Sequence, residues 1–156
     1  MAESGTALVD FEGAVAQFHL AFDVDNRIVN PDNLRSLLER RTTLITEEFH
    51  EVIEALNAAK GSVGNPGFPV QRFEHLAKEL ADLLYVVFGS AELLGIPLGQ
   101  AFAEVHASNM SKLGDDGRPV LREDGKVLKG PNYRSADMTL VGVDILTHYL
   151  SQQIAG

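Results

Sequence analysis

Two groups of carboxylates carry the chemistry open to this chain of 156 residues. Glu47, Glu48 and Glu51 stand in the run Glu47-Glu48-Phe49-His50-Glu51, and Glu79 and Asp82 in Glu79-Leu80-Ala81-Asp82. Helical residues three apart sit about 60° round the axis and roughly 4.5 Å along it, so both acids of a pair point the same way. Glu48 falls in the series Leu44, Glu48, Val52, Leu56, and Glu79 lies between Leu76 and Leu83, so both groups ride on apolar stripes. Four buried carboxylates would each cost several kcal/mol in desolvation unless protons or a metal neutralise them. Ligands that are all oxygen suit a hard cation, Mg²⁺ or alternatively Mn²⁺, which takes further oxygens from substrate phosphates. The competing reading has these glutamates solvated and paired with Arg40, Arg41 or Lys78. Two acid pairs, each on an apolar stripe, weigh against it. A di-iron bundle needs two Glu-x-x-His pairs, and only Glu47 to His50 has that spacing.

The elements that must position these acids read as helices. Residues 7–22 form a first one, containing Val15, Phe18, Leu20 and Phe22. Asn30-Pro31-Asp32 starts a second, with Asp32 as N-cap, running to about Lys60 on Leu34, Leu37, Leu38, Leu44, Ile45, Val52, Ile53 and Leu56. Gly61, Gly64, Pro66, Gly67 and Pro69 break the chain. A third helix covers 70–94, with Leu76, Leu80, Leu83, Leu84 and Val87 on its apolar face. A fourth covers 98–113 after Gly95-Ile96-Pro97. Residues 114–134 turn to Gly, Pro, Asp and Lys, the composition of a loop or arm, and Asp137 is placed to cap a last helix through Leu150. With no repeat and no convincing strand alternation, the expected fold is all-α, a four- to five-helix bundle with a C-terminal arm, one domain over 1–156. Two antiparallel helices across the Gly/Pro break would bring the acid pairs face to face.

Composition removes several other classes. The chain is 45% hydrophobic, enough for a core, and has no cysteine for disulfides or thiolate metal sites. A net charge of −9 repels phosphate backbones and argues against nucleic-acid binding. No apolar run reaches the length of about 20 residues that a membrane helix needs, and Met1-Ala2-Glu3-Ser4-Gly5 lacks the basic start of a signal peptide. A cytoplasmic protein is expected.

Glu-Glu-x-x-Glu followed after a loop by Glu-x-x-Asp resembles the signature of the all-α NTP pyrophosphohydrolases, the superfamily of MazG, the dimeric dUTPases and phosphoribosyl-ATP pyrophosphohydrolase. The stretches Lys78 to Val86, Ala103 to Lys112 and Asp124 to Tyr133 are similar too, so the likeness runs over about 34–137. Among the branches, the chain looks most like the small Deinococcus-type MazG-like enzymes with dUTPase activity. The resemblance implies that Glu48, Glu51, Glu79 and Asp82 hold metal ions, with Glu47 joining that shell or orienting the attacking water. Which acid is the base stays open. It also implies a Mg²⁺-dependent cleavage of a (d)NTP, dUTP first, to its monophosphate and pyrophosphate, a house-cleaning task.

Asn109 and Lys112, three residues apart, would then face the nucleotide, lysine being a natural point charge for phosphate. Lys126, Lys129 and Arg134 make a cationic arm suited to a triphosphate, or else a solubilising loop. Phe18 would stack on the base and Tyr85 meet the sugar, although both equally suit a helical interior. Members of this superfamily are generally homodimers or dimers of dimers. Two rival readings are a phosphoribosyl-ATP pyrophosphohydrolase and a non-catalytic, antitoxin-like interaction bundle.

Overall fold

The computed structural model describes residues 9–24, 30–64 and 67–155, so Ala7, Pro66 and the opening Met1 to Gly5 lie outside the described residues. The chain divides into two compact units, one reaching to Leu94 together with the chain end from Ser151, the other Gly95 to Leu150. Among the described residues there are five helices and no strand, so the all-α expectation holds.

The first unit holds α1 (Phe11–Ala21), α2 (Pro31–Gly61) and α3 (Val70–Leu93), with α3 packed against both others. α1 is capped by Asp10, whose carboxylate accepts from Gly13 N at 3.0 Å. The N-cap of α2 is Asn30 and not Asp32: Asn30 Oδ1 accepts from the amides of Asp32 and Asn33 at 3.0 and 2.9 Å. Pro31 explains the earlier start. Its fixed φ suits the first helical position, and its missing N–H would have no partner there anyway.

The inward line of α2 runs Leu37, Arg41, Leu44, Glu48, Val52, Ala55, Ala59, all buried or half-buried and spaced three and four apart. Leu38, Ile53 and Leu56, read from sequence as part of the apolar face, are exposed. The small residues Ala55 and Ala59 carry the seam instead, which lets the facing helix come close. On α3 the matching line is Leu76, Glu79, Leu83, Val86, Ser90, Leu93. Gly89 permits a tight approach beside it: a Cβ there would sit 3.2 Å from an Arg41 nitrogen and 3.3 Å from both His19 and Val15.

The second unit holds α4 (Leu98–Met110), an arm, and α5 (Thr139–Ala155), whose last turn from Ser151 belongs to the first unit. The arm has two isolated antiparallel bridges, Leu113 with Pro119 and Leu121 with Val127. Gly130 N donates to Lys112 O at 3.0 Å, and Ser108 Oγ donates to Arg134 O at 2.8 Å. Asp137, expected as a cap, does accept from both Thr139 N and Thr139 Oγ at the start of α5. α5 is apolar on two sides. Val141 is buried, with Ile145 and Tyr149 half-buried, while Leu140, Val143, Leu146, Leu150 and Ile154 form a separate exposed stripe.

Candidate functional site

The facing lines of α2 and α3 bring three carboxylates together. Ligand oxygens of Glu48, Glu51 and Glu79 all lie within 4.8 Å of one another. Glu79 is 2% exposed, Glu48 is half-buried and Glu51 opens to solvent, so the cluster runs from the interior to the surface. Glu48 Oε2 is buried with no hydrogen-bond partner among the described residues. An unpartnered buried carboxylate oxygen is costly and asks for a cation.

Like charge shapes the cluster's protonation. The carboxyl of Glu51 is pushed above its ordinary value, first by a hydrogen bond with Glu79 and then by repulsion from Glu79 and Glu48. A surface lysine offsets part of this charge: Lys78 Nζ donates to both Glu79 oxygens at 3.1 Å and to Asp82 Oδ2 at 2.7 Å. The hydrogen bonds to Asp82 and Glu79 hold the ammonium well above the ordinary lysine value. His75 Nδ1 also lies 3.1 Å from Glu79 Oε1. Asp82, expected among the metal ligands, sits one turn after Glu79, half-buried and held by Lys78, outside the three-carboxylate cluster. Glu47 is exposed on α2. The donor set fits a hard divalent cation: three carboxylates at sharing distance, all oxygen, one of them with a buried oxygen that has no partner among the described residues.

Phe18 and Tyr85, expected near base and sugar, do meet, edge to face with ring centroids 5.6 Å apart, and Phe18 packs on Phe22 at 4.4 Å. Phe18 also lines a cavity of about 630 Å³ with His19, Asn33, Leu37, Arg40, Arg41 and Leu44. Leu44, the lining residue of α2 farthest along the helix, stands one turn before Glu48. Arg41 is pinned there: Nε donates to Ser90 Oγ at 2.9 Å and a terminal nitrogen to the Val86 carbonyl at 2.8 Å. Burial, then the charge of Arg40, lowers its pKa below the usual arginine value. His19, in the cavity wall, meets Glu92 Oε2 through Nδ1 at 2.5 Å.

Asn109, Lys112, Lys126 and Lys129 belong to the second unit. Lys112 Nζ donates to Asn109 Oδ1 at 2.7 Å, so these two residues, expected to face a nucleotide, bond to each other. Lys126 is exposed, and Lys129 stands 4.1 Å over the Tyr133 ring. Arg134 pairs with Glu104 at 3.3 Å. Part of the arm's positive charge is therefore spent inside its own unit.

Sequence reasoning treated Lys78, Arg40 and Arg41 only as rival partners for the acids, and missed the cavity that the two arginines line. The signal for Arg41 was present: it continues the Leu37, Leu44, Glu48 line by steps of four, three and four.

Residues 15–109, more than half of the chain, match the family model for phosphoribosyl-ATP pyrophosphohydrolase. No curated protein matches the chain. The matched segment includes all three clustered carboxylates, Lys78 and Asp82, and ends before the arm.

Proposed function

Because the chain belongs to the phosphoribosyl-ATP pyrophosphohydrolase family, whose members hydrolyse nucleotide phosphoanhydrides, we propose that it is a Mg²⁺-dependent nucleoside triphosphate pyrophosphohydrolase acting on dUTP or another non-canonical dNTP. The observation that carries this reading is the cluster of Glu48, Glu51 and Glu79 with its orphan buried oxygen. These three would hold the metal, and Asp82 would join them on release from Lys78. Bound there, the ion supplies charge neutralisation for the triphosphate and acidifies water.

The remaining roles fall to the chain. Water adds to the α-phosphorus, the bond from that phosphorus to the bridging oxygen breaks, and pyrophosphate leaves with that oxygen. The water's proton passes to a carboxylate of the α2 run, and Glu47, exposed beside Glu48, orients the water. Asn109, Lys112, Lys126 and Lys129 are kept for the phosphates, and Phe18 and Tyr85 for the nucleoside. Two copies of the chain form the working unit in this reading, which the exposed stripe of α5 supports.

A second reading is phosphoribosyl-ATP as substrate, favoured by the name of the matching family. Pyrophosphate release across a panel of (d)NTPs and phosphoribosyl-ATP with Mg²⁺ separates the two. Glu48→Gln and Asp82→Asn should each abolish turnover while leaving the far-UV circular dichroism unchanged. Near wild-type hydrolysis by both variants would remove the assignment.

A further inference from the structure

We infer that the cavity along the N-terminal half of α2 receives the nucleobase and selects bases whose edge presents carbonyl oxygens. The inference rests on the pyrophosphohydrolase reading and adds its substrate class. Arg40 and Arg41 precede Glu48 by eight and seven residues, about 10–12 Å of helix axis. That is the order of distance a ribose and base span between a metal-held α-phosphate and the far edge of the base. Phe18 gives the cavity an aromatic face, and Leu37 and Leu44 give it apolar walls. None of the described residues lining it is acidic, in a chain of net charge −9.

The two guanidiniums then set the polarity of recognition. Arg40 has no hydrogen-bond or ion-pair partner among the described residues, and Arg41 is fixed in place by Ser90 and Val86. A guanidinium only donates and cannot lose its proton. Opposite such an edge, uracil and thymine offer O2 and O4, and guanine offers O6 and N7. Cytosine and adenine put an amino donor at N4 or N6, and a donor facing a donor leaves both unpaired.

The test compares kcat/KM for dUTP, dTTP and dGTP with that for dCTP and dATP, using wild type and Arg40→Met. Keto bases should be favoured by about tenfold or more, the factor for roughly one unpaired hydrogen bond. Arg40→Met should erase the preference, mainly by raising KM for the keto-base substrates, with the melting temperature unchanged. Binding of dUMP and dCMP, followed by NMR shift changes in EDTA, reads the same preference without turnover. Hydrolysis with equal or reversed base preference would overturn the inference and leave the pyrophosphohydrolase reading standing. So would phosphoribosyl-ATP as best substrate, with the guanidiniums on its second phosphate. Absence of any pyrophosphate release would sink the parent reading, and equal dUMP and dCMP binding would then sink this one.

Discussion

Replacing Glu48 by Gln should make the metal-free protein more stable and the metal-loaded protein relatively less so. Oxygens of Glu48 and Glu79 lie within 4.8 Å of each other, and Glu79 is 2% exposed. At an effective dielectric of about 20, two unit charges at that separation repel by roughly 3 kcal/mol. Lys78 beside Glu79 offsets part of this, leaving about 1–2 kcal/mol to recover when Glu48 becomes neutral. The amide also supplies a donor where Oε2 now has no partner. For a chain of this size that gain corresponds to a melting temperature higher by about 2–8 °C. The assay is differential scanning fluorimetry of both proteins in EDTA and across a Mg²⁺ titration. Wild type should gain about 2.7 kcal/mol at a hundredfold excess over Kd, and the variant clearly less, so the two curves cross. A variant that melts below wild type in EDTA would refute the reasoning, since Glu48 would then be a satisfied structural group. An unchanged Mg²⁺ increment would refute the metal assignment.

Three further outcomes are expected. The Glu51 carboxyl is raised in the folded state by its hydrogen bond with Glu79 and by neighbouring like charges. A raised folded value favours the fold below the unfolded value and loses that contribution as pH rises through the folded one. Melting in EDTA should therefore fall as pH climbs from the ordinary glutamate value of about 4.3 toward neutrality, while the Mg²⁺ increment grows over the same window. A flat increment across that range would contradict this. At Gly130 a Cβ would lie 2.4 Å from Leu113 O and 2.7 Å from Lys112 O, both backbone atoms. Gly130→Ala should cost about 1–3 kcal/mol and expose the arm to limited proteolysis, and wild-type protease resistance would count against that packing. If two copies form the working unit as proposed, Val143→Glu with Leu150→Glu, placed on the exposed stripe of α5, should shift sedimentation from dimer to monomer. An unaltered profile would remove this stripe as a contact between copies.

The helices and the acid set were legible because both depend on local spacing. Glu48 and Glu79 sat on apolar stripes in the sequence and are the partly and fully buried acids of the structure. Other features depend on what stands opposite, which spacing along one helix does not reveal. Leu56 fits the α2 stripe by period yet is exposed, because Ala55 and Ala59 make the close seam. Asp82 shares the geometry of Glu51 on its own helix, but a lysine four residues before it captures the carboxylate. Asp32 suits a cap by residue type, but proline fits the first helical position so well that the cap falls on Asn30 before it. The arm's cations read as free from composition, whereas Tyr133 and Glu104 engage two of them across 4 and 30 residues of chain.

Lys78 gives the acid cluster a resident monovalent counter-charge on a flexible stem, and this has a consequence for the protein without a divalent ion. A pocket of bare carboxylates would tie folding to divalent supply, as in zinc-dependent miniature domains. Here the ammonium spans Glu79 and Asp82 by itself. On the proposed metal reading, the chain would then mature in an ion-poor setting and later trade one cation for another, with the departing ammonium releasing Asp82.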